Sequence, residues 1–183
     1  MPPPDAEYYI SWCRWQGQDW YSLWWTAEED DGLWADEAGQ VPRYTSPAGV
    51  RQLADGLGVQ LAPEEPLLQK MDDVFNWLSH PAKNPPTETL TVWNMFDDLS
   101  SGIGKPFLGN QKGTIRNRLF DKLYLNDGII QLNQKGQMDF RGPHTHPWKP
   151  RWRRQELKVL RRILLQGFRL WERYTYVVPA STE

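Results

Sequence analysis

The feature that most constrains this chain is its opening aromatic run, Tyr8 to Trp25 (YYISWCRWQGQDWYSLWW). Tyr8–Trp15 and Asp19–Thr26 are rich in aromatic and β-branched side chains, and Gln16-Gly17-Gln18 between them reads as a short hairpin loop. Side chains alternate along a strand, so Tyr8, Ile10 and Trp12 share one face, while Tyr9, Ser11, Cys13 and Trp15 share the other. Apolar groups therefore point both ways. Such a hairpin is either covered on both sides or keeps an aromatic strip at the surface. Six of the eleven tryptophans (Trp12, Trp15, Trp20, Trp24, Trp25, Trp34) fall within 23 residues. With 13% aromatic and 39% hydrophobic residues, the chain is too rich in core-forming groups for intrinsic disorder.

The elements that follow are read from turns and periodicity. Glu28-Glu29-Asp30-Asp31-Gly32 is an acidic turn, and Asp36-Glu37-Ala38-Gly39 is a second turn between Leu33–Ala35 and Val41–Tyr44. These extend the hairpin into a small antiparallel meander. Ser46-Pro47 then starts a helix over Ala48–Leu57 that buries Val50, Leu53, Ala54 and Leu57, with Gly56 and Gly58 at its end. Leu67, Leu68, Met71, Val74, Phe75 and Leu78 make a one-sided helical stripe. Pro81–Pro86 is a linker. Thr87 caps a helix through Leu90, Trp93, Phe96, Leu99 and Ile103, closed by Gly102, Gly104 and Pro106. Ile115, Leu119 and Leu123 mark another helix, Ile115–Tyr124, and Gly128–Leu132 with Gln137–Phe140 form a short hairpin. The last helix spans Arg151–Tyr174, and Tyr176-Val177-Val178 adds a terminal strand or trails off.

At 183 residues the chain fits a single domain, with an acidic, Trp-rich portion over 1–62 and a mainly helical one over 63–183. The expected fold class is α+β: an N-terminal antiparallel β-meander packed with about five helices, ending in a long amphipathic basic helix.

Charge is segregated. The formal net charge is −2, but residues 1–103 hold 17 acidic and 5 basic side chains (−12) and residues 104–183 hold 6 acidic and 16 basic (+10). At 100° per residue, Leu157, Leu160, Ile163, Leu164, Phe168, Leu170, Trp171 and Tyr174 fill one half of the last helix. Arg154, Lys158, Arg161, Arg162, Arg169 and Arg173 fill the other, with Leu165 and Glu172 among them.

No constellation carries a reaction. His144-x-His146 lacks a third ligand, so no metal is expected, and no cofactor is implied. Asp72-Asp73, Asp97-Asp98 and Glu28-Glu29 are helix or turn neighbours that diverge, and they read as solvated faces. Asp97, at the edge of its apolar stripe, suits pairing with a basic group of the C-terminal half. Ser100-Ser101-Gly102 has no nucleophile-elbow context, Cys13 lies in mid-strand, and Gly102-Ile103-Gly104-Lys105 is not a phosphate loop. Gly109–Thr114 before a helix is ordinary turn chemistry.

Two binding surfaces remain. Glu28, Glu29, Asp30, Asp31, Asp36 and Glu37 cluster beside Trp24, Trp25 and Trp34, a combination that suits docking of a basic protein. Lys149, Arg151, Trp152, Arg153, Arg154, Lys158, Arg161 and Arg162 suit nucleic acid, with cations for phosphates and Trp148 or Trp152 for stacking. Self-association of opposite poles is a further consequence. No apolar run reaches the roughly 20 residues of a membrane span, and the lone Cys13 with no signal-like N-terminus makes the cytoplasm the expected compartment.

The aromatic hairpin with its acidic turns, Thr91–Leu99 (TVWNMFDDL), Phe120–Leu123 (FDKL) and the Pro/Trp loop before the last helix cover about a third of the chain. Through them the sequence resembles small, uncharacterised bacterial proteins of immunity-protein type. That resemblance implies an α+β binding protein, with toxin neutralisation as the role that some of those proteins suggest, and none of the shared segments is a catalytic signature.

Overall fold

The computed structural model describes residues 5–80, 84–126, 130–132, 138–140 and 150–179. Strands β1 (Glu7–Trp15) and β2 (Gln18–Thr26) pair antiparallel from Glu7↔Thr26 to Trp15↔Gln18. Gln16 and Gly17 turn the chain, both at positive φ (56° and 71°), as a primed two-residue turn demands. Asp72 clamps that turn: its carboxylate accepts the Gln16 N–H at 2.7 Å and the Gly17 N–H at 2.8 Å. Strand β3 (Asp31–Leu33) continues the antiparallel meander on β2.

Strand β4 (Val41–Arg43) leaves the meander. It stays beside β2 through the Ser22 hydroxyl, which donates to the Pro42 carbonyl at 3.2 Å, and the Tyr21–Tyr44 bridge just after it, but its ladder is parallel with the C-terminal strand β8 (Thr175–Val177). Pro42 has no N–H to offer and suits such a short ladder better than a sheet interior. The free edge of β1 is filled by β5 (Leu68–Lys70), parallel to Trp12–Arg14, giving the order β3-β2-β1-β5. Leu68 is therefore in a strand, and Leu67, 86% exposed, belongs to no apolar stripe. The predicted helix begins only at Met71. Strands β6 (Ile130–Leu132) and β7 (Met138–Phe140) form a separate antiparallel pair where the sequence suggests one.

The helices are α1 (Pro47–Leu57), α2 (Met71–Ser79), α3 (Thr89–Ile103), α4 (Thr114–Asn126) and α5 (Arg154–Tyr174). The β1–β2 hairpin is covered on both sides, although much of its aromatic surface stays half-buried. On one face Cys13 and Trp15 join the main core, and an aromatic path runs from Trp15 through Phe168 to Phe96 in steps of 4.9 Å. Phe96 lies directly on the α5 backbone, where a Cβ at Gly167 would sit 2.1 Å from its ring. On the other face Leu23 and Trp25 are buried outside that cluster, and α1 packs against β2 with Val50 and Ala54 buried. Leu53 is half-buried and Leu57 exposed, so α1 buries a narrower stripe than its sequence suggests. His144, His146, Trp148 and Lys149 lie outside the described residues. Among the described residues no helix is long and apolar enough to cross a membrane.

Candidate interaction surfaces

The acidic surface is assembled by an unusually close approach of helix to strand. Gly102 of α3 lies so near β3 that a Cβ there would sit 1.8 Å from the Leu33 carbonyl oxygen. Gly32 answers from the strand side, where a Cβ would sit 3.1 Å from the Asp98 carbonyl oxygen and the Gly102 nitrogen. Asp98 is four residues before Gly102, hence on the same helix face, and it is carried into the seam beside Asp31. Burial first, then the charge and hydrogen bond of Asp31 and the charge of Asp97, push Asp98 up to about 8. The Trp24 side chain opposes this shift, though its indole N–H completes no hydrogen bond. Asp98 is thus a proton-holding group at neutral pH, not the solvated helix carboxylate its sequence context suggests.

The other carboxylates frame this pair. Burial also raises Asp97, against the opposing pull of the Asn110 side-chain amide that donates to it and the charge of Arg116. The expected partner from the C-terminal half is therefore an amide, with a cation acting at longer range. Asp30 accepts the Ser101 hydroxyl at 2.9 Å and the Asp31 N–H at 3.0 Å, which fixes the acidic turn to α3. Glu28, Glu29, Asp30, Asp31 and Glu37 are exposed and Asp36 is half-buried. Asp36 is held within its own turn, accepting the N–H groups of Ala38 and Gln40. Of the three tryptophans assigned to this face, Trp25 is buried, whereas Trp24 and Trp34 are half-buried, with Trp24 packed 5.3 Å from the Tyr9 ring.

The basic surface is the outer side of α5. Arg151, Arg153, Arg154, Lys158, Arg162 and Arg169 are exposed, and Arg161 is half-buried. Trp152 is half-buried, with the Lys122 ammonium 5.5 Å from its ring centre. That same ammonium donates to Glu156 at 2.7 Å and to the Arg151 carbonyl at 2.8 Å. Glu156 is 3% exposed and also accepts the Arg153 N–H at 2.8 Å, so it caps α5 while anchoring α4. Burial raises Glu156, but Lys122, the Arg153 N–H and the nearby positive charges prevail and hold it below its usual range.

The two surfaces do not neutralise each other. The four ion pairs among the described residues, Arg14–Asp19, Lys70–Glu88, Arg118–Glu156 and Lys122–Glu156, each lie within one half of the chain. Cys13 is buried, which pushes its thiol up and leaves it poorly suited to nucleophilic work. Among the described residues no group of three or more His, Cys, Asp or Glu side chains could hold a metal ion.

The half-buried carboxyl of Asp98 in the seam and the clamp by Asp72 are what sequence reasoning missed. A glycine inside a helical stripe, four residues from an aspartate, was the available signal for the first. Nothing local signals the second, which joins residues more than fifty positions apart.

No family model matches the sequence, and no curated protein matches it. The fold is similar to that in the crystal structure of the SatS C-terminal domain in complex with bromine, with a TM-score of 0.54 over 93% of this chain and 94% of that one. The two chains are 12% identical, so what they share is the α+β architecture.

Proposed function

We propose that this chain is a non-enzymatic protein-binding module that docks a basic partner on the acidic seam between β3 and α3. The observation that carries this reading is the convergence of Asp30, Asp31, Asp97 and Asp98, none of which takes part in a salt bridge among the described residues. A lysine or arginine of a partner placed against this seam would relieve the repulsion and gain charge-assisted hydrogen bonds. The exposed Glu28, Glu29 and Glu37 extend the negative field and steer encounter. Trp24 and Trp34 contribute ring surface. In its most specific form the reading is a cytoplasmic immunity-type protein that blocks a basic toxin.

The test uses wild-type protein and E28K/E29K/D31K as parallel affinity baits on lysate of the native cell. A basic protein held by the wild type and lost from the variant is then purified, and its association is followed between low and high salt. The expected result is an association rate that falls about tenfold or more with charge reversal and declines steeply with salt. Identical protein sets on both baits, or association indifferent to salt, would overturn the reading.

A further inference from the structure

We infer that the outer face of α5 is a second docking groove, of opposite sign to the seam, built for an acidic amphipathic helix. The groove has a volume of about 1480 Å³, and its lining holds five cationic and four apolar side chains and no acidic one. At 100° per residue, Lys158, Leu165 and Arg169 fall within about 40° of one another, with Arg154 and Arg162 close beside them. Leu165 thus sits half-buried in the middle of an exposed cationic stripe, with half-buried Leu157 about 80° to one side, both also packing inward on the core. The acid nearest the start of the helix, Glu156, is buried on the α4 side and engaged by Lys122, so it does not temper the stripe.

This combination selects among anionic partners. A phosphate backbone needs cations but gains nothing from an aliphatic floor, because burial is favourable only when apolar surface meets apolar surface. Among the described residues, the aromatic group a nucleic acid would stack on, Trp152, already carries the Lys122 ammonium over its ring. A helix with leucines along one stripe and carboxylates beside it matches both features at once: its leucines cover Leu165 and the exposed edge of Leu157, and its acids pair with the flanking arginines and Lys158. From Arg154 to Arg169 the face runs about 24 Å at 1.5 Å per residue, which accommodates a partner helix of some sixteen residues. The groove stands apart from the acidic seam and its occupant does not depend on the function proposed above.

The probe is a fluorescently labelled 18-residue Glu/Leu peptide with its leucines at helical spacing, titrated with the full chain and followed by anisotropy. A peptide of identical composition with the stripe broken and a single-stranded DNA 20-mer serve as comparisons. The striped peptide should bind roughly tenfold or more tightly than the scrambled one. Both L165E and K158E/R162E should weaken it by a similar factor while the circular dichroism stays unchanged. The double variant alters exposed side chains alone, so it keeps the test decisive if L165E fails to fold. Equal affinity for the two peptides, tighter binding of the DNA, or no binding of the striped peptide overturns the proposal. So does a concentration-dependent dimer that K158E/R162E dissolves, since the groove would then receive the acidic turns of a second copy.

Discussion

Asp98 and Gly102 show how one side chain's chemistry depends on another residue's lack of a side chain. The hydrogen at Gly102 lets α3 approach Leu33 to backbone contact, and that approach places a carboxyl where it holds its proton up to about pH 8. The linkage follows from the direction of the shift. Between the ordinary carboxylate range and about pH 8 the folded state keeps a proton that the unfolded state has lost, so Asp98 makes stability fall as pH rises through that window. D98N keeps a polar side chain without the ionisation. It should exceed wild type in stability by about 1–3 kcal/mol at pH 8.5, which is several degrees in melting temperature, and the gain should shrink towards zero at pH 5. A gain of equal size at both pH values in thermal melts would show that Asp98 is not the proton-holding group. G102A and G56A form a paired test. A Cβ at Gly102 meets the Leu33 oxygen at 1.8 Å, whereas one at Gly56, in α1, meets nothing within 4 Å. Urea titration should show G102A destabilised by about 2 kcal/mol or more and G56A stabilised by about 0.5–1 kcal/mol.

At the scale of elements, α4 is tied to the start of α5 by a buried carboxylate with two duties. Glu156 caps α5 through the Arg153 N–H and receives Lys122 from α4. Its carboxyl titrates below the ordinary carboxylate range, so the stability it contributes is present above that range and is lost as pH falls through the folded value. K122M leaves the carboxylate buried without its close cation, held by the Arg153 N–H and charge and by Arg118 at 3.9 Å. The expected cost is about 3 kcal/mol at pH 7, smaller at pH 4, where the unpaired acid can take up a proton; a pH-independent cost in urea melts would contradict this. Elements formed by neighbours in sequence were legible in advance: the hairpin from its alternation and its Gly turn, α5 from its divided wheel. Elements completed by distant partners were not. Leu68–Lys70 reads as the start of a helix because nothing local records that β1 offers a vacant edge, and Pro42 marks β4 as unfit for a sheet interior without naming β8 as its partner. The acidic residues of the seam were visible as a cluster. Their centre was not, because the partly desolvated setting of Asp98 depends on a contact between α3 and β3 that periodicity cannot show.

Over the whole molecule, a charge of −12 faces one of +10 across the sequence, yet the four ion pairs of the described residues never cross that divide. The core does cross it. The path from Trp15 to Phe168 to Phe96, and Arg43 held over both Trp20 and Trp171, join the two halves through rings and apolar contacts. Stability is therefore shared through the interior while charge is left at the surface in two separate fields. Charges more than a Debye length of about 8 Å apart at physiological salt interact weakly, so two separate surface fields are expected to act independently. E28K/E29K on the acidic side and K158E/R162E on α5 should then change the unfolding free energy additively, with a coupling within about 0.5 kcal/mol in a double-mutant cycle. A favourable coupling above about 1 kcal/mol that disappears at high salt would mean the two poles attract each other within one molecule. In that event the segregation would serve the fold itself, and neither face would be free to recruit a partner at its full charge.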